Sequence, residues 1–150
     1  MNVQKDKGLL EALCGFLRKN GCAGDVIDCE GVPVMVMEYE DKEKDLAEYF
    51  NITVEHLTDD TAQICIMHIL FSDITDEQVS KVTQRIPDMN RYLSFGSFGI
   101  DRINRNVFFS SALDVTHLGD SLSVCFAVSF HESRLKSTEG VMELMPLIAD

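Results

Sequence analysis

The sequence predicts an α+β fold in which helices pack on one antiparallel sheet. Several short runs alternate apolar and polar residues with a period of two, which is typical of strands, and three longer stretches repeat apolar residues every three or four positions, which is typical of helices. Short polar turns join neighbouring strand-like runs, as in hairpins. The predicted order is α-β-β-β(-β)-α-β-β-α, with a weak first strand, in a two-layer single domain over residues 1–150.

The first helix is predicted over residues 5–20. Asn20-Gly21 supplies the stop signal. Gly15 inside the helix costs up to ~1 kcal/mol relative to alanine, which suggests that a neighbouring element approaches closely there. The apolar stripe consists of Leu9, Leu10, Leu13, Phe16 and Leu17.

Two hairpins are expected to follow. In the first, runs 26–29 and 34–39 flank a turn at Glu30-Gly31, and residues 34–37 are all apolar, which predicts a strand covered on both faces. The charged stretch 38–48 predicts a solvated connection, with a short helix that turns Leu46, Tyr49 and Phe50 inward as the alternative.

In the second hairpin, runs 50–57 and 62–71 flank the turn at 58–61, and the second run is apolar on both faces, like a central strand. A turn centred on Asp60 gathers the apolar side chains on one side. That register places His56 opposite Ile64 and His68 opposite Ile52, on one face but too far apart to share a metal ion.

The second helix is predicted to begin at Thr75, because Thr75 and Gln78 form a capping box. Pro87 predicts a kink or a restart before the helix ends near Tyr92. The apolar positions of this helix are Val79, Val82, Ile86 and Met89.

A third hairpin and a third helix complete the predicted fold. Runs 95–100 and 107–115 flank a polar turn, and Gly96 and Gly99 indicate a bulge or a helix packed closely over the strand. The third helix spans about 122–147, with Gly140 and Pro146 weakening its far end. Its apolar row consists of Val124, Val128, His131 and Leu135, continued by Val141, Met142 and Met145.

Composition excludes several functions. The net charge of −12 argues against nucleic acid as a partner, and no apolar run is long enough for a membrane span. The sequence begins without the features of a signal peptide, and no two of the five cysteines have the spacing of a paired motif. A cytoplasmic, reducing location is therefore expected. No P-loop, dinucleotide-binding glycine motif or nucleophile elbow occurs, and no cofactor or metal site is expected.

Residues 86–115 resemble the central part of the YbjN-type bacterial family, which shares the fold of type III secretion chaperones. The resemblance is carried by Asn90-Arg91-Tyr92-Leu93 at a helix end, the Gly-Ser-Phe-Gly strand at 96–99, and the aromatic strand at 107–113. It implies an acidic cytoplasmic homodimer in which the second helix helps to form the dimer, and apolar patches on the sheet and first helix hold a client segment. The implied dimer or partner surface consists of Val79, Val82, Ile86, Met89, Leu9, Leu13 and Phe16.

Three functions remain open on the sequence. The first is a non-enzymatic module, chaperone-like or regulatory, that binds a peptide segment of another protein. The alternative is a small-molecule-binding protein or enzyme with a pocket between sheet and helices, suggested by Gly96, Gly99 and His68. The third is a regulatory partner of a basic protein, whose binding would weaken with salt.

Overall fold

In the computed structural model, which describes residues 3–41 and 46–148, six antiparallel strands form one sheet and three helices pack on it. The sheet order is β1-β2-β3-β4-β6-β5, which confirms the predicted α+β class. The helices are α1 (Val3–Lys19), α2 (Asp76–Arg91) and α3 (Leu122–Ile148), the last preceded by a short 3-10 turn. The strands are β1 (Ala23–Cys29), β2 (Val32–Asp41), β3 (Leu46–Thr58), β4 (Thr61–Phe71), β5 (Ser97–Asp101) and β6 (Asn106–Asp114).

All three helices cover the same face of the sheet. Helices α1 and α3 pack over β1 to β4 and β6, and α2 packs beside α3 at the β5 end. The covered face carries a buried row of cross-strand neighbours in which His68 lies between two phenylalanines: Met37, Phe50, His68, Phe109 and Phe98. No helix of the described residues packs on the opposite face, so the fold has two layers and an open sheet surface.

The prediction that β2 is covered on both faces is wrong. Met35 and Met37 are buried beneath the helices, whereas Val36 points to the open face and is 36% exposed. A continuous apolar run is typical of strands between two layers. Here the run instead supplies one buried face and one solvent-facing apolar face.

The charged stretch 38–48 is mostly strand rather than connection. β2 continues to Asp41 and β3 begins at Leu46, with Tyr39 paired to Glu48, while residues 42–45 lie outside the described part of the chain. Tyr49 is half-exposed on the open face, so the alternative helix with Tyr49 inward is also wrong. The ladder hydrogen bonds between β2 and β3 and the burial of Phe50 favour strand here, although the polar composition is typical of a connection.

The β3–β4 hairpin keeps the predicted faces but has a different register. His56 lies opposite Ala62 instead of Ile64, and His68 lies opposite Phe50 instead of Ile52. The turn is tighter than predicted, and the pairing is irregular between His56 and Thr58. Because side chains alternate with a period of two, a shift of two residues leaves the same side chains facing the helices.

Helix α2 begins at the predicted capping box and continues through Pro87. The Thr75 hydroxyl accepts a hydrogen bond from the Gln78 amide, and the Gln78 side chain accepts one from the Thr75 amide. The predicted restart at Pro87 is wrong, since one helix runs to Arg91. Pro87 is solvent-exposed, where water can satisfy the carbonyl that its missing N–H leaves free.

Thr75→Ala should lower the free energy of unfolding by about 1 kcal/mol, because it removes the acceptor for one of the orphan amides at the helix start. Urea denaturation of both proteins measures this. Ser80→Ala, at an exposed position inside the same helix, is the control and should change stability little. Equal midpoints for wild type and Thr75→Ala would show that the cap contributes nothing.

Asn90 attaches the end of α2 to the edge strand β5. Its side-chain amide donates to the Phe98 carbonyl at 2.9 Å and accepts from the Phe98 amide at 2.7 Å. The side chain therefore takes the place of a neighbouring strand for one residue of β5. This contact ties together two segments of the resemblance, the helix end and the glycine-containing strand.

The glycines meet different neighbours from those predicted. A Cβ on Gly99 would lie 2.5 Å from the Phe108 ring on the adjacent strand, so an aromatic side chain rather than a helix covers it. Gly15 has no neighbour within 4 Å of its Cβ position, so the expected close approach there is wrong. The close helix approach occurs instead at Gly140 of α3, where a Cβ would lie 2.2 Å from the Phe98 ring.

Helix α3 presents the opposite face to that expected from its apolar row. Val124, Val128 and Leu135 are exposed, whereas the buried row combines phenylalanines with small residues. The buried members of the helix are Phe126, Ser129, Phe130, Ser133, Ser137, Gly140 and Leu144. These small side chains allow the helix to approach the sheet, and the Ser133 hydroxyl lies 2.7 Å from the Ser111 hydroxyl on β6. Close packing, and not the hydropathy of the side chains, therefore decides which face of α3 is buried.

Candidate functional site: the open face of the sheet

The open face presents ordered cross-strand rows of side chains from β2, β3, β4 and β6. One row runs across all four strands through Glu38, Tyr49, Ile69 and Phe108. The next row consists of Val36, Asn51, Met67 and Ser110. The centre of the face is thus a band of half-exposed apolar and aromatic side chains on a rigid, hydrogen-bonded support.

The charged side chains that the structure describes on these rows are acidic. None of the lysine and arginine residues within 3–41 and 46–148 lies in a strand. Glu38 lies at one end of the apolar band, and Glu55 and Asp114 occupy the row at the other end, where Gln63 separates them. A surface that is apolar in the middle and acidic at both ends is complementary to apolar side chains flanked by basic ones.

A shallow groove of about 570 Å³ lies on the open face. Thr53, Met67 and Cys65 are among its lining residues. Burial raises the pKa of the Cys65 thiol to about 11, and the nearby Glu55 carboxylate adds to this increase. The thiol is therefore protonated at neutral pH and is a poor nucleophile. The groove can hold side chains of a bound segment, but its cysteine does not favour covalent chemistry.

On the covered face, His68 is the centre of a buried polar cluster. Its ring stacks on Phe50 with centroids 4.1 Å apart, and Nδ1 has no hydrogen-bond partner within the described chain. Burial, and secondarily the positive charge of Arg134, lower the pKa of His68 to about 4. Glu48 lies 3.7 Å from Nε2 but is already paired with Arg134, so His68 is neutral at physiological pH.

Arg134 and Glu48 join α3 to the sheet. Arg134 Nε and Nη2 contact the same Glu48 carboxylate at 3.2 and 2.5 Å, and the guanidinium lies 4.1 Å above the Tyr39 ring. The carboxylate raises the pKa of Arg134 against the lowering effect of burial. The pair is thus mutually neutralised, which is typical of a structural contact.

The other histidines do not build a catalytic or metal-binding group. His56 Nε2 lies 2.9 Å from the carboxylate of Asp6 on α1, within hydrogen-bond distance, and His117 and His131 are exposed. Within residues 3–41 and 46–148, no three His, Cys, Asp or Glu side chains converge as metal ligands. His56 lies opposite Ala62 near the turn of the hairpin, whereas His68 lies opposite Phe50 far from it.

The residues predicted as a dimer or partner surface face the core. Leu13 and Val82 are buried, and the remaining members, namely Leu9, Phe16, Val79, Ile86 and Met89, are partly buried against the two apolar clusters under the helices. Their part in a partner contact stays a prediction. Side chains already packed against the sheet offer only their outer edges to another molecule.

The predicted two-layer arrangement implies one uncovered sheet face, but none of the residues predicted as a partner surface lies on it. The signal was present in β2 and β4, whose apolar residues occupy both alternating positions, but this pattern was interpreted as burial on both sides. A pattern of two apolar faces does not reveal whether a second layer belongs to the same chain.

No family model and no curated protein matches this chain. Among the described residues, no helix combines the length and the apolar content that crossing a membrane requires. The fold and the geometry of the open face therefore carry the functional argument.

Proposed function

We propose that this protein is a non-enzymatic protein-binding module whose open sheet face holds a segment of a partner protein. The observation that carries the proposal is the uncovered apolar band between acidic ends, since extended apolar patches on folded proteins mark interaction sites. We further propose a cytoplasmic bacterial setting and a YbjN-type, secretion-chaperone-like role. The free cysteines and the resemblance at 86–115 support these.

The proposed occupant is a polypeptide segment with apolar residues flanked by Lys or Arg. Its apolar side chains would contact Tyr49, Met67 and Phe108, and its basic side chains would lie near Glu38 or Glu55. Burying the band removes apolar surface from water, which supplies the affinity. The ionic contacts select basic over acidic segments, and their contribution weakens with added salt.

Selection from a phage library of random peptides tests this. Segments of about eight extended residues span ~26 Å, which is long enough to cross the four-stranded band at ~4.8 Å per strand. Enriched peptides should combine apolar residues with Lys or Arg, and a synthetic copy should bind more weakly as salt is raised. Absence of enrichment, or enrichment of acidic peptides, would refute the proposed chemistry.

Thr53→Lys locates the contact. Thr53 is half-buried in the groove, so a lysine there places a positive charge where the described rows of the open face carry only acidic charges, and it should weaken peptide binding about tenfold or more. The matched control is Gln84→Lys on the exposed side of α2. Equal loss in both variants would indicate a general charge effect and not a site on the open face.

The alternative function, a small-molecule binder or enzyme, has one observation in its favour. The buried His68 has an unpaired Nδ1 next to the Glu48–Arg134 pair, and unpartnered buried polar atoms occur at ligand sites. A thermal-shift screen with metabolites and divalent metals tests it. Stabilisation that disappears in His68→Leu would favour this alternative over peptide binding.

A further inference from the structure

The outer face of α3 carries an apolar stripe that no part of the described chain covers. Its apolar members lie on the side of the helix that points away from the sheet, and their exposed fractions range from 43% to 73%: Val124, Val128, Leu135, Met142 and Met145. By contrast, Val3 is the one large hydrophobic residue of α1 that is exposed, and the described α2 has none. Among the three helices, α3 alone presents an apolar outer surface along its length.

The stripe follows the spacing of a coiled-coil seam. With His131 and Thr138 included, successive members are separated by four, three, four, three, four and three residues. The buried residues Phe126, Ser133 and Gly140 recur every seven residues on the opposite side of the helix, against the sheet. The seam extends ~32 Å at 1.5 Å per residue, which is three heptads.

The chemistry of the seam is the same in both directions along the helix. From either end it reads apolar, apolar, polar, apolar, polar, apolar, apolar. A two-fold axis near Leu135 therefore places Val124 against Met145 and Val128 against Met142 of a second α3, and His131 against Thr138. This self-complementarity specifies the occupant, because an isologous interface must match itself when the helix is reversed.

We infer that α3 forms an antiparallel two-helix interface with a second copy of this chain. None of the seven seam positions carries Asp, Glu, Lys or Arg, so the contact buries no charge along the seam itself. Antiparallel helices also align their macrodipoles favourably. A single helix pair is smaller than a standard protein interface, so the dimer is a weak one, with dissociation in the micromolar range.

Sedimentation equilibrium from about 1 μM to about 300 μM tests the interface in the range expected for a weak contact. The wild-type chain should shift from monomer to dimer. Leu135→Glu brings two carboxylates together at the axis and should weaken the dimer about tenfold or more, while the exposed position leaves the fold intact. Gln84→Glu on α2 is the control. A wild-type monomer throughout, or a dimer that Leu135→Glu leaves unchanged, would overturn the inference.

Glu139→Lys tests the orientation. The antiparallel arrangement places Glu139 beside the partner's Glu132, so charge reversal converts a repulsion into an ion pair and should tighten the dimer. A parallel arrangement would place Glu139 beside the partner's Arg134, and the same change would weaken it. Weakening therefore overturns the antiparallel arrangement.

The inference is independent of the peptide-binding proposal, because α3 and the open face lie on opposite sides of the sheet. Leu135→Glu should leave binding of a selected peptide unchanged, and Thr53→Lys should leave the dimer unchanged. Either proposal can therefore be refuted without affecting the other.

Discussion

Replacing Phe50 by alanine is expected to lower the free energy of unfolding by about 3–5 kcal/mol, a large part of the 5–15 kcal/mol typical of a domain. Phe50 is fully buried on the covered face of β3, where its ring stacks on His68. Its ring centroid lies 4.7 Å from that of Phe130 on α3. Truncation removes buried apolar surface and leaves a cavity between sheet and helix. Urea denaturation followed by circular dichroism gives the change.

Tyr49→Ala is the matched control for Phe50→Ala. Tyr49 is the preceding residue of the same strand, but it points to the open face and is 50% exposed. Its truncation should cost much less stability, while it should weaken binding of a peptide selected on the open face. A similar loss of stability in both variants would contradict the assignment of faces.

The unfolding free energy should decrease as the pH falls from about 6.5 to about 4, with roughly 3 kcal/mol of the loss due to His68. Burial lowers the pKa of His68 from its usual 6.5 to about 4. In this window the unfolded chain binds a proton at His68 that the folded chain does not bind, so acid favours unfolding. Above pH 6.5 both states are neutral at His68 and its contribution is constant.

Comparison with His68→Leu isolates this contribution, because carboxylates also titrate at the acid end of the window. The difference in stability between wild type and His68→Leu should change by roughly 3 kcal/mol between pH 7 and pH 4 in favour of the variant. His117→Gln, at an exposed histidine, is the control and should follow the wild-type curve. Parallel curves for wild type and His68→Leu would show that His68 is protonated in the folded state.

Local patterns predicted the elements well, because each depends on neighbouring residues. The capping box at Thr75 and the hairpin at 97–114 were placed correctly. The side-chain faces of β3 and β4 were also correct, although the register was not. The tighter turn and the irregularity between His56 and Thr58 together shift the pairing by two residues, which leaves the same side chains facing inward.

Local sequence patterns did not predict which face of α3 is buried or that one face of β2 is exposed. The apolar row of α3 resembled a core face, but the helix buries Ser133 and Gly140 and exposes Val128. A helix that is apolar on several sides gives no unique inward direction. Close packing selects the small residues for the contact with the sheet, because they allow the helix to approach Phe98.

The sequence by itself determined the α+β class, the element order and the acidic charge. Only the tertiary structure decided which side chains of the sheet stay uncovered and that the α3 seam points outward. Periodicity reports that a side of an element is apolar, whereas the element that covers that side is distant in the chain. Which apolar faces lack a partner, and so can bind another molecule, is therefore a property of the assembled fold.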